Sequence, residues 1–229
     1  MKYISTRGNH EKVSAAKAIQ LGMVPEGGLF VPEKIPFLSS KELNDLQHKD
    51  YKGIAFEILK KYLTDYTDKE LKEVIEKAYN KSNFVVDKIA PLKKLNDKTY
   101  ILELWHGPTA AFKDMALQLM PRLLVKAIEK VKLDRKIVIL VATSGDTGKA
   151  ALEGFKDVDG VKIVVFYPEK GVSRVQEDQM KTTGGQNTEV VSLKGNFDDC
   201  QTAVKNVFSD QEFKKRMEAH NYQFSSANS

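Results

Sequence analysis

The sequence predicts an α/β protein: a small N-terminal helical domain, then an open parallel sheet with helices on both faces. Between residues 39 and 81, apolar residues recur at helical spacing behind two capping signatures. From residue 100 onward, short β-branched runs alternate with helical patterns. Those runs are continuously apolar, as strands buried on both faces require, and βα alternation implies right-handed crossovers between parallel strands.

The elements follow in order. A short helical pattern surrounds Val13 to Ile19, after the segment STRG. Residues 22–37 carry Gly22, Pro25, Gly27, Gly28, Pro32 and Pro36, which is loop chemistry with LFV as a brief extended piece. Ser39-Ser40-Lys41-Glu42 and Thr67-Asp68-Lys69-Glu70 each match the S/T-x-x-E capping box and predict two helix starts. Ile54, Phe56, Ile58, Leu59, Tyr62 and Leu63 form one helical stripe. Pro91 marks the change of pattern, so residues 1–90 are expected to be a mainly helical domain and 91–229 an α/β region. In the latter, TYILELW is a strand candidate, followed by 137–142, 161–167, 188–193 and YQFSSA. Helical patterns fill about 112–133, 148–157, 173–183 and 197–218. No fixed-period repeat or low-complexity segment is present.

Composition narrows the function. In 229 residues, 41% hydrophobic and 29% charged content is that of an ordinary globular protein with enough apolar material for a core. No apolar stretch approaches the ~20 residues that span a bilayer, and MKYISTRGNHEK lacks the apolar core of a secretory signal. One cysteine, Cys200, excludes a disulfide scaffold within the chain and suits a reducing cytoplasm. The histidines are far apart and HExxH is absent, so nothing supports a metal site. The net charge of +5 is spread among acidic residues, as in LKEVIEKAYNK, so no nucleic-acid partner is expected. A modest positive balance suits small anionic substrates.

Two segments carry candidate chemistry. Thr143-Ser144-Gly145-Asp146-Thr147-Gly148 lies between the 137–142 strand and the next helix, the place where a parallel sheet opens its ligand crevice. Free amides at the helix start attract anions, and the hydroxyl side chains add donors. The alternative is a tight βα turn whose Asp146 or Thr147 only caps the helix. The Walker pattern fails, with Thr143 and Ala150 at its required positions, and GxGxxG is absent. The second segment is Trp105-His106-Gly107-Pro108-Thr109-Ala110-Ala111-Phe112-Lys113-Asp114. Lys113 stands among small and apolar residues at a predicted helix start. Burial and the helix dipole both disfavour its ammonium there, freeing the amine as a nucleophile. The alternative is a surface lysine paired with Asp114 or with a glutamate one turn away. A weaker third feature is Ser173-x-x-Gln176, a capping box that places Arg174 in the first turn, facing an anion or pairing with Glu177 or Asp178. Gly184-Gly185 follows the 173–183 helix and reads as its C-terminal cap.

HGPTAAFKD, ATSGDTG, GVSRVQEDQM and the terminal SSANS resemble the threonine synthase family, in the fold type II group of pyridoxal-phosphate enzymes. YISTRG and LGMVPEGGLFVP resemble that family's N-terminal region, so the resemblance runs the whole chain in order. It implies that Lys113 holds pyridoxal phosphate as a Schiff base and that Asp146 lies near the cofactor's phenolic oxygen. It implies that Thr143, Ser144, Gly145 and Thr147 grip the substrate α-carboxylate, with Arg174, Ser226 and Asn228 as candidates for the substrate phosphate.

The reaction so implied converts O-phospho-L-homoserine and water to L-threonine and phosphate, with Lys113 shuttling protons and the cofactor as electron sink. Members of the family run to about twice this length, so the resemblance also implies an N-terminal portion. On that reading, 91–229 is the start of a large domain, a small parallel-sheet domain, and a return to a still incomplete large domain. The glycine-rich loop for the cofactor phosphate lies beyond Ser229 in the resemblance, so weak cofactor retention is expected of the chain alone. Two other readings stand beside this one: a related phospho-lyase or threonine/serine dehydratase, and a non-catalytic anion-binding α/β module.

Overall fold

A computed structural model describes residues 1–226. The N-terminal third opens with β1 (Tyr3–Ser5), which pairs antiparallel with β2 (Phe30–Pro32) around helix α1 (Ala15–Leu21). Three helices follow: α2 (Ser40–Leu46), α3 (Tyr51–Tyr62) and α4 (Asp68–Ala78). Both expected capping boxes form. Ser39 accepts from the Glu42 amide and Thr67 from the Glu70 amide, and each glutamate reaches back to its cap. Phe56, Leu59, Tyr62 and Leu63 from the expected stripe pack inward, whereas Ile54 faces solvent.

The stretch TYILELW behaves differently from expectation. Only Tyr100–Leu102 is a strand, β4, and it pairs antiparallel with β3 (Leu92–Lys94) outside the main sheet. A tight turn at Asn96–Thr99 closes the hairpin locally: Leu95 N–H donates to the Thr99 carbonyl at 2.9 Å and Lys98 N–H to the Asn96 side chain at 3.0 Å. The main sheet is built from other strands.

At its interior lies β5 (Lys136–Ala142), in a four-stranded sheet of order β7-β6-β5-β8. Its partners are β6 (Val161–Pro168) and β8 (Tyr222–Ser226), with β7 (Thr188–Leu193) beyond β6, and every pairing is parallel. The three runs expected to be neighbouring parallel strands are so. Burial on both faces holds for β5 and largely for β6, while the edge strand β7 is mostly exposed.

Side-chain alternation sorts β5 between two layers. Ile137, Ile139 and Val141 pack on α5 (Asp114–Leu117), α6 (Met120–Val131) and α7 (Asp146–Phe155). Val138, Leu140 and Ala142 pack on Cys200 and Val204 of α9 (Phe197–Ser209), with Met217 of α10 (Gln211–Ala219) in the same layer. Helix α8 (Arg174–Lys181) joins the first layer through Met180.

Two expected helices are each broken in two. Pro121 at the start of α6 cannot donate to the Leu117 carbonyl, so 112–133 divides into α5 and α6. Asp210 ends α9 in an extended conformation and caps α10 by accepting from Phe213 N–H at 2.8 Å. The glycine pair is not the cap of α8. Thr182 occupies that position, and neither Gly184 nor Gly185 has a positive φ.

The N-terminal third shares its core with the rest. Leu71, Val74, Ala78 and Phe84 cluster with Leu119, Leu123 and Ala127 around α6. Tyr66 donates its hydroxyl to the Leu123 carbonyl at 3.1 Å, and Tyr79 donates to that of Met115 at 2.6 Å.

Candidate functional site

Lys113 occupies the N-cap position of α5. Its ammonium lies 4.3 Å from the centroid of the Phe112 ring and makes no hydrogen bond or ion pair among the described residues. The pairing with Asp114, set out above as the alternative, does not form. Asp114 is 0% exposed, and its carboxylate accepts from the Thr109 amide at 2.8 Å and the Thr109 hydroxyl at 2.7 Å. Burial pushes the Asp114 carboxyl above the usual carboxylate range, against the two Thr109 bonds. Lys113 itself is half-buried beside the exposed Phe112, less enclosed than its apolar neighbours in sequence suggest. The preceding loop is tied down where His106 Nε2 lies 2.7 Å from Glu103 Oε2.

The 143–148 segment turns tightly from β5 into α7. Thr143 is 1% exposed, and its hydroxyl braces the turn, accepting from the amides of Gly145 at 3.0 Å and Gly148 at 2.8 Å and lying 3.1 Å from the Gly145 carbonyl. Its side chain therefore shapes the loop. Gly145 is the N-cap, at φ 147° and ψ −97°, a left-handed conformation that strains any residue with a Cβ. Neither Asp146 nor Thr147 caps α7, so the cap-only alternative fails on geometry. The amides of Ser144, Asp146 and Thr147 donate to no group among the described residues. Ser144 and Asp146 are exposed and Thr147 half-buried, so these donors stand at the open end of a helix dipole.

Helix α8 reaches this loop through a residue that sequence reasoning assigned only to capping. Gln176 completes the expected box: its Oε1 lies 3.2 Å from both the amide and the hydroxyl of Ser173, and its own amide donates to Ser173 Oγ at 3.2 Å. Its Nε2 also donates to Asp146 Oδ1 at 2.7 Å. Asp146 thus acts as an acceptor. Thr109 is the other residue missed. HGPT-x-x-x-x-D holds its spacing to Asp114, but no local pattern shows the bond.

Arg174 projects into solvent, 93% exposed on its side chain, with a loose 3.9 Å contact to Asp178. Of the two partners considered for it, Asp178 is the one met. Ser226 ends β8 opposite Leu140 and is buried. Asn228 lies outside the described residues.

Packing brings α5 alongside α7. Asp114 lies close enough to Glu153 and Lys149 for their charges to act on it. Farther along, a Cβ at Gly154 would sit 2.1 Å from the Leu117 carbonyl, the group that Pro121 leaves without its helical donor. Chemically, the arrangement offers a primary amine with no internal partner and a set of unspent amides. That amine fits the imine that a carbonyl cofactor needs, and the amides fit a carboxylate. Among the described residues no group of His, Cys, Asp and Glu could hold a metal ion.

Comparison with known proteins gives two consecutive family matches. A family described as threonine synthase N terminus matches residues 2–79, and one described as pyridoxal-phosphate dependent enzyme matches residues 86–227. Threonine synthase from Pseudomonas aeruginosa is 41% identical over 216 residues, covering 94% of this chain and 45% of that protein. Threonine synthase from Schizosaccharomyces pombe is 38% identical over 224 residues, covering 94% and 43%. A crystal structure of PLP-bound threonine synthase from Brucella melitensis superposes with a TM-score of 0.86 at 35% identity, covering 100% of this chain and 48% of that one. The chain therefore spans less than half the length of the curated relatives it matches.

Proposed function

Because the chain belongs to the pyridoxal-phosphate dependent enzymes, we propose that it supplies the Lys113 half of a threonine synthase, which turns O-phospho-L-homoserine and water into L-threonine and phosphate. One observation carries the reading: among the described residues the Lys113 amine has no hydrogen bond or ion pair, while its neighbour Asp114 is committed to Thr109. Lys113 would hold pyridoxal phosphate, which when bound would supply the electron sink for negative charge at the substrate Cα.

The protein's own part is binding, orientation and proton movement. The amides of Ser144, Asp146 and Thr147, with the hydroxyls of Ser144 and Thr147, hold the substrate carboxylate at the start of α7. Gly145 permits the turn that exposes them, and Thr143 braces it. Asp146, fixed by Gln176, would lie beside the cofactor. Lys113 Nζ would move the protons, taking one from Cα and, once that is passed on, one from Cβ. Arg174, with its donors nearly all in water, and Ser226 and Asn228 near the chain end receive the substrate phosphate.

The same proposal divides the chain at residue 90 into a helical part and a cofactor-binding part, a few residues inside the start of the second family match at residue 86. It places the protein in the cytoplasm, where a single buried cysteine stays reduced. No described helix is long and apolar enough to cross a membrane.

The test uses the protein that carries this segment together with the portion its relatives have beyond it. With O-phospho-L-homoserine the expected product is threonine. A product of 2-oxobutyrate instead would move the assignment to a lyase or dehydratase. Borohydride reduction should fix the cofactor label on the peptide holding Lys113, and Lys113→Ala should lose both label and turnover. A variant that keeps near-normal threonine production overturns the assignment.

A further inference from the structure

A cavity of about 440 Å³ lies where α4, α6, the end of α5 and the end of α7 meet. Its volume is within the ~300–1,000 Å³ typical of small-ligand pockets. The charges lining it are unevenly matched. Lys77 is paired with Glu73 at 2.7 Å, Lys126 with Glu129 at 3.2 Å, and Glu153 with Lys149 at 2.9 Å. Arg122 and Lys156 line the same cavity and have no carboxylate partner among the described residues.

Arg122 is half-buried, and one of its guanidinium N–H groups donates to the Gln118 carbonyl. Its other donors meet no acceptor among the described residues. Burial holds the guanidinium below its ordinary value, and it remains charged at neutral pH. Gln118 lines the cavity as well, is 4% exposed, and its Nε2 has no hydrogen-bond partner among the described residues. Buried donors without acceptors cost free energy, and a half-buried cation without a counter-charge costs more. Both deficits call for the same thing, a negatively charged acceptor.

We propose that this cavity is a binding site for a small oxyanion, the carboxylate or phosphate group of a metabolite-sized ligand, gripped by the Arg122 fork with Lys156 as a second charge. A guanidinium presents parallel N–H groups that match two oxygens of such a group. The site stands apart from the α7 N-terminus, since no residue of 143–148 lines it. It touches the Lys113 region from the far side, because Gln118 closes the helix whose other end is Lys113. An occupant therefore bridges the N-terminal helices and the element that carries the amine.

Inorganic phosphate and acetate, titrated separately into the chain by calorimetry, test the site. Saturable binding of at least one is expected, weakened about tenfold or more in Arg122→Gln and also weakened in Lys156→Ala. The Lys156 side chain is exposed, so its variant reports on binding even if Arg122→Gln disturbs the fold. Wild-type affinity retained in Lys156→Ala and in folded Arg122→Gln overturns the proposal, as does failure of both anions to bind.

Discussion

Asp114 is a buried carboxyl whose two acceptor contacts both come from one residue, Thr109. It sits next to Lys113 with both oxygens taken up by Thr109. Burial raises its folded-state pKa above the usual carboxylate value. A raised acid pKa means that the folded state binds its proton more tightly than the unfolded chain does. The stability linked to that proton is fully present below the unfolded carboxyl value and is lost as pH rises through the folded one. Asp114→Asn removes this titration. The melting temperature of the variant relative to wild type should therefore climb as pH increases from the ordinary carboxylate value upward, in paired thermal melts. A difference that stays flat with pH would show that Asp114 carries no such shift.

At the scale of elements, the β5–α7 turn separates a brace from a grip. Thr143→Val removes the acceptor of two buried amides and should cost about 1–3 kcal/mol in denaturant unfolding. Thr147 makes no capping bond, so Thr147→Ala should stay within about 0.5 kcal/mol of wild type while weakening substrate binding in the active protein. If Thr147→Ala instead loses about 1 kcal/mol with kinetics intact, Thr147 serves stability and does not grip the substrate. Helix α2 provides an electrostatic counterpart. The Glu42 carboxylate accepts from Lys61 at 2.5 Å and from the Ser39 amide at 2.7 Å, and these contacts pull its pKa down to about 2. A depressed acid pKa gives stability that is present above the unfolded value and lost as pH falls through the folded one. Glu42→Gln should therefore lower the melting temperature at pH 7, and the gap should close as pH falls from 4.5 towards 2. A gap independent of pH would show that the ion pair contributes nothing.

Over the whole molecule, α6 serves two layers. Leu123 and Ala127 face the N-terminal helices, while Leu124 faces the sheet. Ile19 of α1 packs against both clusters. A helix shared in this way couples the two parts, so one unfolding transition is expected for the chain, coincident by circular dichroism and Trp105 fluorescence. Leu71→Ala, from a fully buried position among the N-terminal helices, should shift both probes together by about 2–5 kcal/mol. Separate transitions would show that the N-terminal part folds by itself.

What the sequence determined alone was whatever depends on neighbours along the chain. The capping boxes at Ser39, Thr67 and Ser173 are four-residue signals, and all three form. The strands 137–142, 161–167 and 188–193 announced themselves by β-branched runs, and the amine at Lys113 and the loop at 143–148 by their place beside predicted element ends. Only the tertiary structure decided what depends on distance. TYILELW carries a strand pattern, but its pairing was settled by a local turn that sets Tyr100–Leu102 against Leu92–Lys94. The break at Pro121 fixed where α5 meets α7 at Gly154. Thr143 was one more hydroxyl in a polar loop until the fold turned it inward, and Gln176 was a cap until α8 came to rest against Asp146. Spacing along the chain sets helices, strands and their ends, because those contacts close within a turn or two. A hydrogen bond across 30 residues has no local signature, because only the packing of two helices on one sheet brings its partners together.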